Sequence, residues 1–483
     1  MINNFDESAL LFALIMIIHV INIFLCKSRY HYNFINIFSL SVIQSLISLV
    51  LFFTIDAGQK LTWNIFYINE ILNLNVFINK FTVIFLNLIN LLSLILLIFF
   101  EKYLYLFEKN NYQKTLLFFI YFFLNLNILI VCSNLVSSIL IIVINALLSI
   151  GYLNAKYHDH KPKIINTLSI IYFFQYIFLF ILLIYLVELF NDNSFDNNNI
   201  MVSNLDISSQ YILYVLSFFG LFIFTLVPFY YFINLKIIDE FIIIIISQLF
   251  ASLILFTKLI FYIFNFNFLP IFLKNDNLFI NIFIIINLLV IASALVYSKF
   301  KDNILTLLSL FSLSYLFLSY LILYKSNNNS LLFLSIGFII NISSLFITII
   351  PFNLLQSKMN NQISFRGLFF LMPKSCILLI LSLLNFIGIM PSFNMVANFQ
   401  IFKIFANNMI ITPFISVVVF NIIFLIFIAV FLKIILTRVS LDRSQEIINL
   451  SEKFENQQNL VYSRIAVIIL SIIFFIFRKF ITL

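Results

Sequence analysis

Apolar residues along this chain do not alternate with polar ones. They run together in long blocks separated by short polar interruptions. A helix that crosses a bilayer needs about 20 mainly apolar residues. About fourteen blocks read as such spans, at residues 8–26, 33–55, 81–100, 115–133, 135–153, 164–189, 211–234, 241–266, 280–296, 304–324, 331–352, 375–405, 411–432 and 465–477. Phe and Ile favour strands in water, but lipid admits only helices or closed barrels. Blocks of this length without period-two alternation predict helices. The connections read as short except 191–210, an Asn/Asp/Ser-rich loop, and 437–463. In the latter, Ile447, Leu450 and Phe454 recur at i, i+3 and i+7, which predicts a surface helix tethering the last two spans. The first block lacks the basic start and small-residue cleavage site of a signal peptide, so it is expected to stay as a span.

Composition changes the picture by exclusion. Of 483 residues, 63% are hydrophobic and 10% charged, against roughly 45–50% and about 25% in soluble domains. With a mean hydropathy of +1.13, this excludes a soluble enzyme, a disordered chain and a nucleic-acid-binding module. The 65 Phe and 22 Tyr, beside only 6 Gly and 1 Trp, favour residues with A+T-rich codons and point to a biased organellar genome. Cys26, Cys132 and Cys376 sit in apolar runs at no metal-ligand spacing. The scarcity of Gly leaves no phosphate-binding loop, and no nucleophile elbow or catalytic triad is evident.

Charge then orients the spans. When alternate connections are assigned to opposite sides, one side collects nineteen of the 27 basic residues, including Arg464. The other collects seven, including Lys403, and Lys258 alone lies inside a span. The positive-inside rule turns the rich side inward, so the count of spans is even and both termini face outward.

Two spans contain an interior proline. The seventh carries Gly220 and Pro228, the twelfth Gly388 and Pro391. Proline removes a backbone donor and clashes with the preceding turn, so each span is expected to break there. If spans 4–8 and 9–13 are two five-helix units, both breaks fall in the fourth helix of a unit. Matched interruptions are the mark of an inverted-repeat transporter; the alternative is coincidence, since proline is frequent in membrane helices. The expected fold is an all-α polytopic membrane protein of about 14 transmembrane helices. Its expected segments are 1–110 (three helices), 111–278 (first repeat), 279–436 (second repeat) and 437–483 (polar segment and last helix).

Around the twelfth span the chain resembles the antiporter-like membrane subunits of respiratory complex I, a family related to Mrp-type cation/proton antiporters. Gly388, Ile389, Pro391, Phe399, Ile401 and Phe402 match the pattern GIPPLxGFxxKFxIF in register. The stretch FRGLFFLMP at 365–373 is similar to LKGLFxxNP, and LVPFYYF at 226–232 to LVPFHFW, both of NADH dehydrogenase subunit 2. The HxWLPxAHxxAP signature of subunits 4 and 5 is absent, although Asn394 is more like subunit 4.

The resemblance implies a membrane-arm subunit of proton-pumping NADH:ubiquinone oxidoreductase in the mitochondrial inner membrane, mitochondrion-encoded, with both termini on the intermembrane-space side. It implies no cofactor in this chain; NADH, flavin, iron–sulfur clusters and quinone belong to other subunits. Implied partners are the other membrane-arm subunits and membrane lipid such as cardiolipin, with no nucleic acid.

Relatives carry a buried glutamate on helix 5 and lysines on helices 7, 8 and 12. Here Asn145 best aligns with the glutamate, Ile223 with the helix 7 lysine and Asn398 with the helix 12 lysine. Lys258 remains, about five residues later than expected, which is more than one helical turn. Neutral Asn can keep an axis wet but cannot titrate. Lys258 is read as the proton-handling candidate, the alternative being a lysine that snorkels to the interface. Lys403 could replace the missing lysine, although anchoring at the interface is favoured. Glu101 and Glu188 read as headgroup-level helix ends, His19 as a packed or interfacial histidine, and His158–Lys163 as a solvated loop. Two other functions stay open: a structural subunit that bridges neighbours without conducting protons, and a stand-alone cation/proton antiporter.

Overall fold

The computed structural model describes residues 2–27, 33–55, 60–67, 73–107, 112–156, 162–190, 239–259, 328–358, 368–388, 392–407 and 445–480, with a few single positions elsewhere. The described chain is almost entirely helical and crosses the membrane repeatedly. Seven helices among the described residues are long and apolar enough to span a bilayer, and two shorter apolar ones accompany them. The expected spans at 280–296 and 304–324 lie outside the described residues, as do those at 211–234 and 411–432 apart from single positions.

Two compact units emerge, one from Met1–Phe224 with Ser247–Asn265, the other from Thr225–Ile246 with Phe266–Thr482. The first contains α1 (Ile2–Lys27), α2 (Asn33–Thr54), α3 (Lys80–Phe107), α4 (Tyr112–Val131), α5 (Leu135–Lys156), α6 (Pro162–Phe190) and the C-terminal part of α7 (Asp239–Lys258). Helices α3 and α4 form its centre, for 72% of each span is buried, against 39% and 33% for α1 and α2. The outer faces carry Leu10, Phe24, Phe53, Phe173 and Phe180, all exposed. Apolar surface of that extent is matched by lipid, not water. Phe100 of α3 packs on Phe119 of α4 with ring centroids 4.5 Å apart, and Phe118 stacks on Tyr152 of α5 at 4.6 Å.

The connection before α3 departs from the expected short linker. It folds as an antiparallel hairpin, β1 (Lys60–Tyr67) with β2 (Asn73–Asn79), irregular between Asn64 and Phe66. Its sequence, LTWNIFY followed by NLNVFIN, is rich in aromatic and β-branched residues. Val76, Phe77 and Ile78 are buried. Val76 bridges to Cys132, and Ser133 N–H donates to Asn75 O at 2.9 Å. The hairpin therefore seats on the turn between α4 and α5. Asn79 then caps α3 reciprocally: Thr82 N–H donates to Asn79 Oδ1 at 3.0 Å, and Asn79 N–H to Thr82 Oγ1 at 2.8 Å.

The second unit is built around α8 (Asn328–Lys358), buried along Ser335–Phe352. Packed on it are α9 (Pro373–Ile387), α10 (Phe393–Asn407) and α12 (Gln458–Ile476), with α11 (Gln445–Asn456) alongside α8, α9 and α12. Phe393 meets Phe333 and Phe474 edge-on at 5.0 and 6.0 Å, which ties α10 to α8 and α12. The last span begins at Gln458, seven residues before the expected start at 465. Its first turns carry polar residues because their partners are polar, as described next.

Candidate functional site

Three lysines in the first unit do the same local work. A helix leaves its last four carbonyls without intrahelical partners, and these form the negative end of the helix dipole. Lys80 Nζ donates to Phe52 O and Ile55 O at the end of α2, at 2.7 and 3.1 Å, and lies 4.2 Å from the Phe52 ring centroid. Lys114 Nζ donates to Ala155 O of α5 at 2.8 Å. Lys258, fully buried, donates to Leu129 O at 2.8 Å and Cys132 O at 2.6 Å, at the end of α4. The lysine singled out by sequence therefore sits beneath the hairpin-covered turn between α4 and α5, where Ser133, Asn134, Ser137 and Ser138 are also buried. Neither the hairpin nor this turn was legible as its surroundings from spacing alone.

Asn145 lies buried on α5, and among the described residues neither end of its carboxamide has a hydrogen-bond partner. A buried amide without protein partners is a water-binding position. On α6 and α7 a further polar contact is buried, Gln248 Nε2 donating to Gln175 Oε1 at 3.1 Å and Gln175 Nε2 to Ser252 Oγ at 3.3 Å.

In the second unit Gly388 closes α9. Its φ of +81° is the left-handed conformation that glycine adopts without a Cβ penalty. The chain re-enters a helix at Phe393, so Gly388 stands at an interruption between α9 and α10; Pro391 and Pro228 lie outside the described residues. Side-chain amides take over the backbone groups freed there. Asn398 Nδ2 donates to Ile387 O at 2.7 Å, and Asn394 Nδ2 to Phe386 O at 2.9 Å. Asn385 Oδ1 accepts from Ser471 Oγ at 3.1 Å, and Asn341 on α8 is buried with both amide ends unpartnered. Asn398 and Gly388 are thus brought together. Lys403 lies further along α10, four residues past Phe399, and is exposed.

Sequence reasoning missed a buried charged cluster in this unit. The Glu455 carboxylate of α11 accepts from the backbone N–H groups of Lys374 and Ser375, both at 2.9 Å, and so caps the start of α9. Lys374 Nζ donates to Glu455 O at 3.1 Å. Arg464, assigned to a loop by its charge, is fully buried on α12 and donates to Leu460 O at 2.9 Å and Ser375 Oγ at 2.7 Å. Its signal was a lone arginine within reach of an apolar run. Among the described residues Glu101 pairs with its neighbour Lys102, at 3.4 Å, and Glu188 is exposed near the end of α6. Among the described residues no cluster of three His, Cys, Asp or Glu side chains is placed to hold a metal ion.

No protein-family model matches this chain, and no curated protein matches it by sequence. Solved structures do. One is a chain of the membrane-bound sulfane sulfur reductase (MBS), an archaeal respiratory membrane complex, with a TM-score of 0.70 at 14% identity, covering 98% of this chain and 96% of that one. Another is a chain of the Mrp complex from Dietzia sp. DQ12-45-1b, with a TM-score of 0.68 at 12% identity over 98% of this chain. It covers 51% of the Mrp chain, so this protein spans about half of that chain's length. At such identities the likeness establishes the fold: it is the fold of membrane chains found in these two complexes.

Proposed function

We propose that this chain is a membrane-arm subunit of a proton-pumping NADH:ubiquinone oxidoreductase, closest to subunit 2, in the mitochondrial inner membrane. It would contribute to proton translocation and to assembly of the arm. The observation that carries this reading is the fold likeness, over 98% of the chain, to a chain of a respiratory membrane complex. The motif resemblance around Gly388 and Pro391 supports it. In this reading the chain has about fourteen spans in two inverted five-helix repeats, 111–278 and 279–436. It carries no redox cofactor and docks against other membrane-arm subunits and lipid.

Within that role Lys258 is the proton-handling group. Its chemistry suits the task, because an ammonium that loses one proton keeps two N–H hydrogens. Those two suffice for Leu129 O and Cys132 O, so titration need not break the cap on α4. Asn145 contributes hydration in the first unit, Asn398 orients the interruption in the second, and Lys403 anchors α10. A second reading, a scaffold without conduction, draws on the amides that stand at 145 and 398 where relatives carry charge. A stand-alone cation/proton antiporter needs more buried charge than these positions supply.

Isolation of the tagged full-length chain from its native membranes tests the assignment. The expected result is copurification with a large assembly that oxidises NADH and reduces quinone. Recovery of the chain outside any NADH-oxidising assembly would overturn it.

A further inference from the structure

The first four helices bury an imidazole that the Lys258 pathway does not use. His19 lies eleven residues from one end of the span Ser8–Cys26 and seven from the other. Gln44 is ten residues from either end of Phe34–Thr54, and Asn90 is ten from the start of Lys80–Tyr103, so the group sits at mid-depth. His19 Nε2 is 2.7 Å from Gln44 Nε2 and 2.7 Å from Asn127 Nδ2. Those two nitrogens also donate to Asn90 Oδ1, at 2.7 and 2.9 Å. One side chain from each of α1 to α4 thus closes a four-membered ring of hydrogen bonds. With two amide donors aimed at it, Nε2 is an acceptor and the imidazole proton resides on Nδ1. Among the described residues, His19 Nδ1, Asn90 Nδ2 and Asn127 Oδ1 have no hydrogen-bond partner.

The ring has a second polarity. A half-turn of each carboxamide exchanges its oxygen and nitrogen in nearly the same volume. Asn90 Nδ2 then donates to Gln44 Oε1 and Asn127 Oδ1, and both oxygens face Nε2, which must carry a hydrogen. We infer that His19 is a reversible proton-binding group, held by an amide ring that stabilises either the bare or the protonated Nε2 without backbone movement. Uptake forms the Nε2–H bond and gives an imidazolium, whose charge is met by the two amide oxygens. Loss of that same proton restores the first polarity. Loss of the Nδ1 proton instead leaves the other neutral tautomer in the reversed ring, and a proton has crossed the imidazole.

Polar groups continue the seam on both sides. Asn22 Nδ2 donates to Ser41 Oγ at 3.5 Å towards one face, and Ser48 Oγ to Asn87 Oδ1 at 3.1 Å towards the other. Among the described residues no charged side chain hydrogen-bonds to the ring. On α1 the titratable groups are Asp6, Glu7, Cys26 and Lys27; α2 has none; α3 has Lys80, Glu101, Lys102, Tyr103 and Tyr105. On α4 these are Tyr112, Lys114 and Tyr121, with Cys132 just beyond. All lie five or more residues along the chain from the ring member on their element, about 7 Å or more of helical rise. The amides are therefore the local compensation for charge at a depth where charge is costly.

The test is nitrogen NMR of the full-length chain, labelled with 15N-histidine and reconstituted in lipid bilayers. The variant with His31→Gln, His158→Gln and His160→Gln leaves His19 as the sole histidine of the four. The expected result is that Nε2 passes from bare to protonated as pH is lowered. Replacing the ring amides, by Gln44→Leu with Asn127→Leu, should lower that midpoint by at least about one pH unit, a tenfold weaker proton affinity. An Nε2 that stays bare at every pH at which the chain remains folded would overturn the inference. So would a midpoint that the two leucines leave unmoved.

Discussion

The two units bury polar groups to different ends. In the first, Lys258 donates to the carbonyls of Leu129 and Cys132, and His19 meets the carboxamides of Gln44 and Asn127, both of which donate to Asn90. In the second, amides and serine hydroxyls satisfy the groups beside Gly388, and charges collect at a helix start, where Glu455 caps α9 and Arg464 holds Ser375. A buried charge met by dipoles can change its protonation without leaving an opposite charge stranded. A carboxylate that caps a helix start turns an O–H towards the backbone N–H groups it satisfies when it is protonated, whereas a lysine that caps a helix end keeps two N–H donors when it is deprotonated. On the proposed reading, titration belongs to the first unit and mechanical closure to the second.

Substitutions can break that distinction, and Lys258→Met should have the largest effect. It strands two buried carbonyls, each costing about 1–3 kcal/mol, so the variant should accumulate as poorly assembled chain in a membrane-stability assay. Stability equal to the parent would mean that the cap on α4 is dispensable. Next come two glycines, Gly388 at the interruption and Gly337 on α8 against Asn394. A Cβ at Gly337 would overlap Asn394 Oδ1. One at Gly388 would stand 2.9 Å from Met395 N and Asn398 Nδ2 in a left-handed conformation. Gly337→Ala and Gly388→Ala should each destabilise the second unit by about 1–3 kcal/mol, read as a lower unfolding midpoint in detergent. A neutral Gly388→Ala would show that the interruption is not held in this conformation.

Smaller still is Glu455→Gln. It keeps one acceptor oxygen but turns an amide N–H₂ towards a backbone donor, at a cost of about 1–2 kcal/mol. The loss should concentrate in protease resistance near residues 445–458, with proton translocation in the assembled protein unchanged. A translocation defect there would move titration into the second unit. The smallest effect belongs to Lys403→Ala, an exposed side chain whose removal should stay within about 0.5 kcal/mol of neutral. A large loss of activity would make it the replacement for the lysine absent at Asn398.

Much of this was legible because lipid leaves the chain few choices. Long apolar blocks had to become helices, and the described spans begin and end within a few residues of the polar interruptions. The left-handed turn at Gly388 follows from a Gly close to a Pro inside such a block. The hairpin was hidden because LTWNIFY and NLNVFIN look like frayed ends of apolar runs, and only pairing across residues 60–79 separates strand from span. The role of Lys258 as a cap was hidden for a related reason, since its acceptors lie 126 and 129 residues away along the chain. The His19 ring is equally non-local: four polar residues in four spans each look incidental until the helices pack. Arg464 was misplaced because its net charge was counted without its partner Ser375, 89 residues distant.

The measurement that bears most directly on the central claim is the proton-to-NADH ratio of Lys258→Arg in the assembled complex. Arginine keeps a buried cation with several donors for Leu129 O and Cys132 O, but it does not deprotonate. A proton-handling Lys258 predicts normal assembly with a reduced ratio. A parental ratio in fully assembled Lys258→Arg would contradict it and leave Lys258 as a cap on α4 alone.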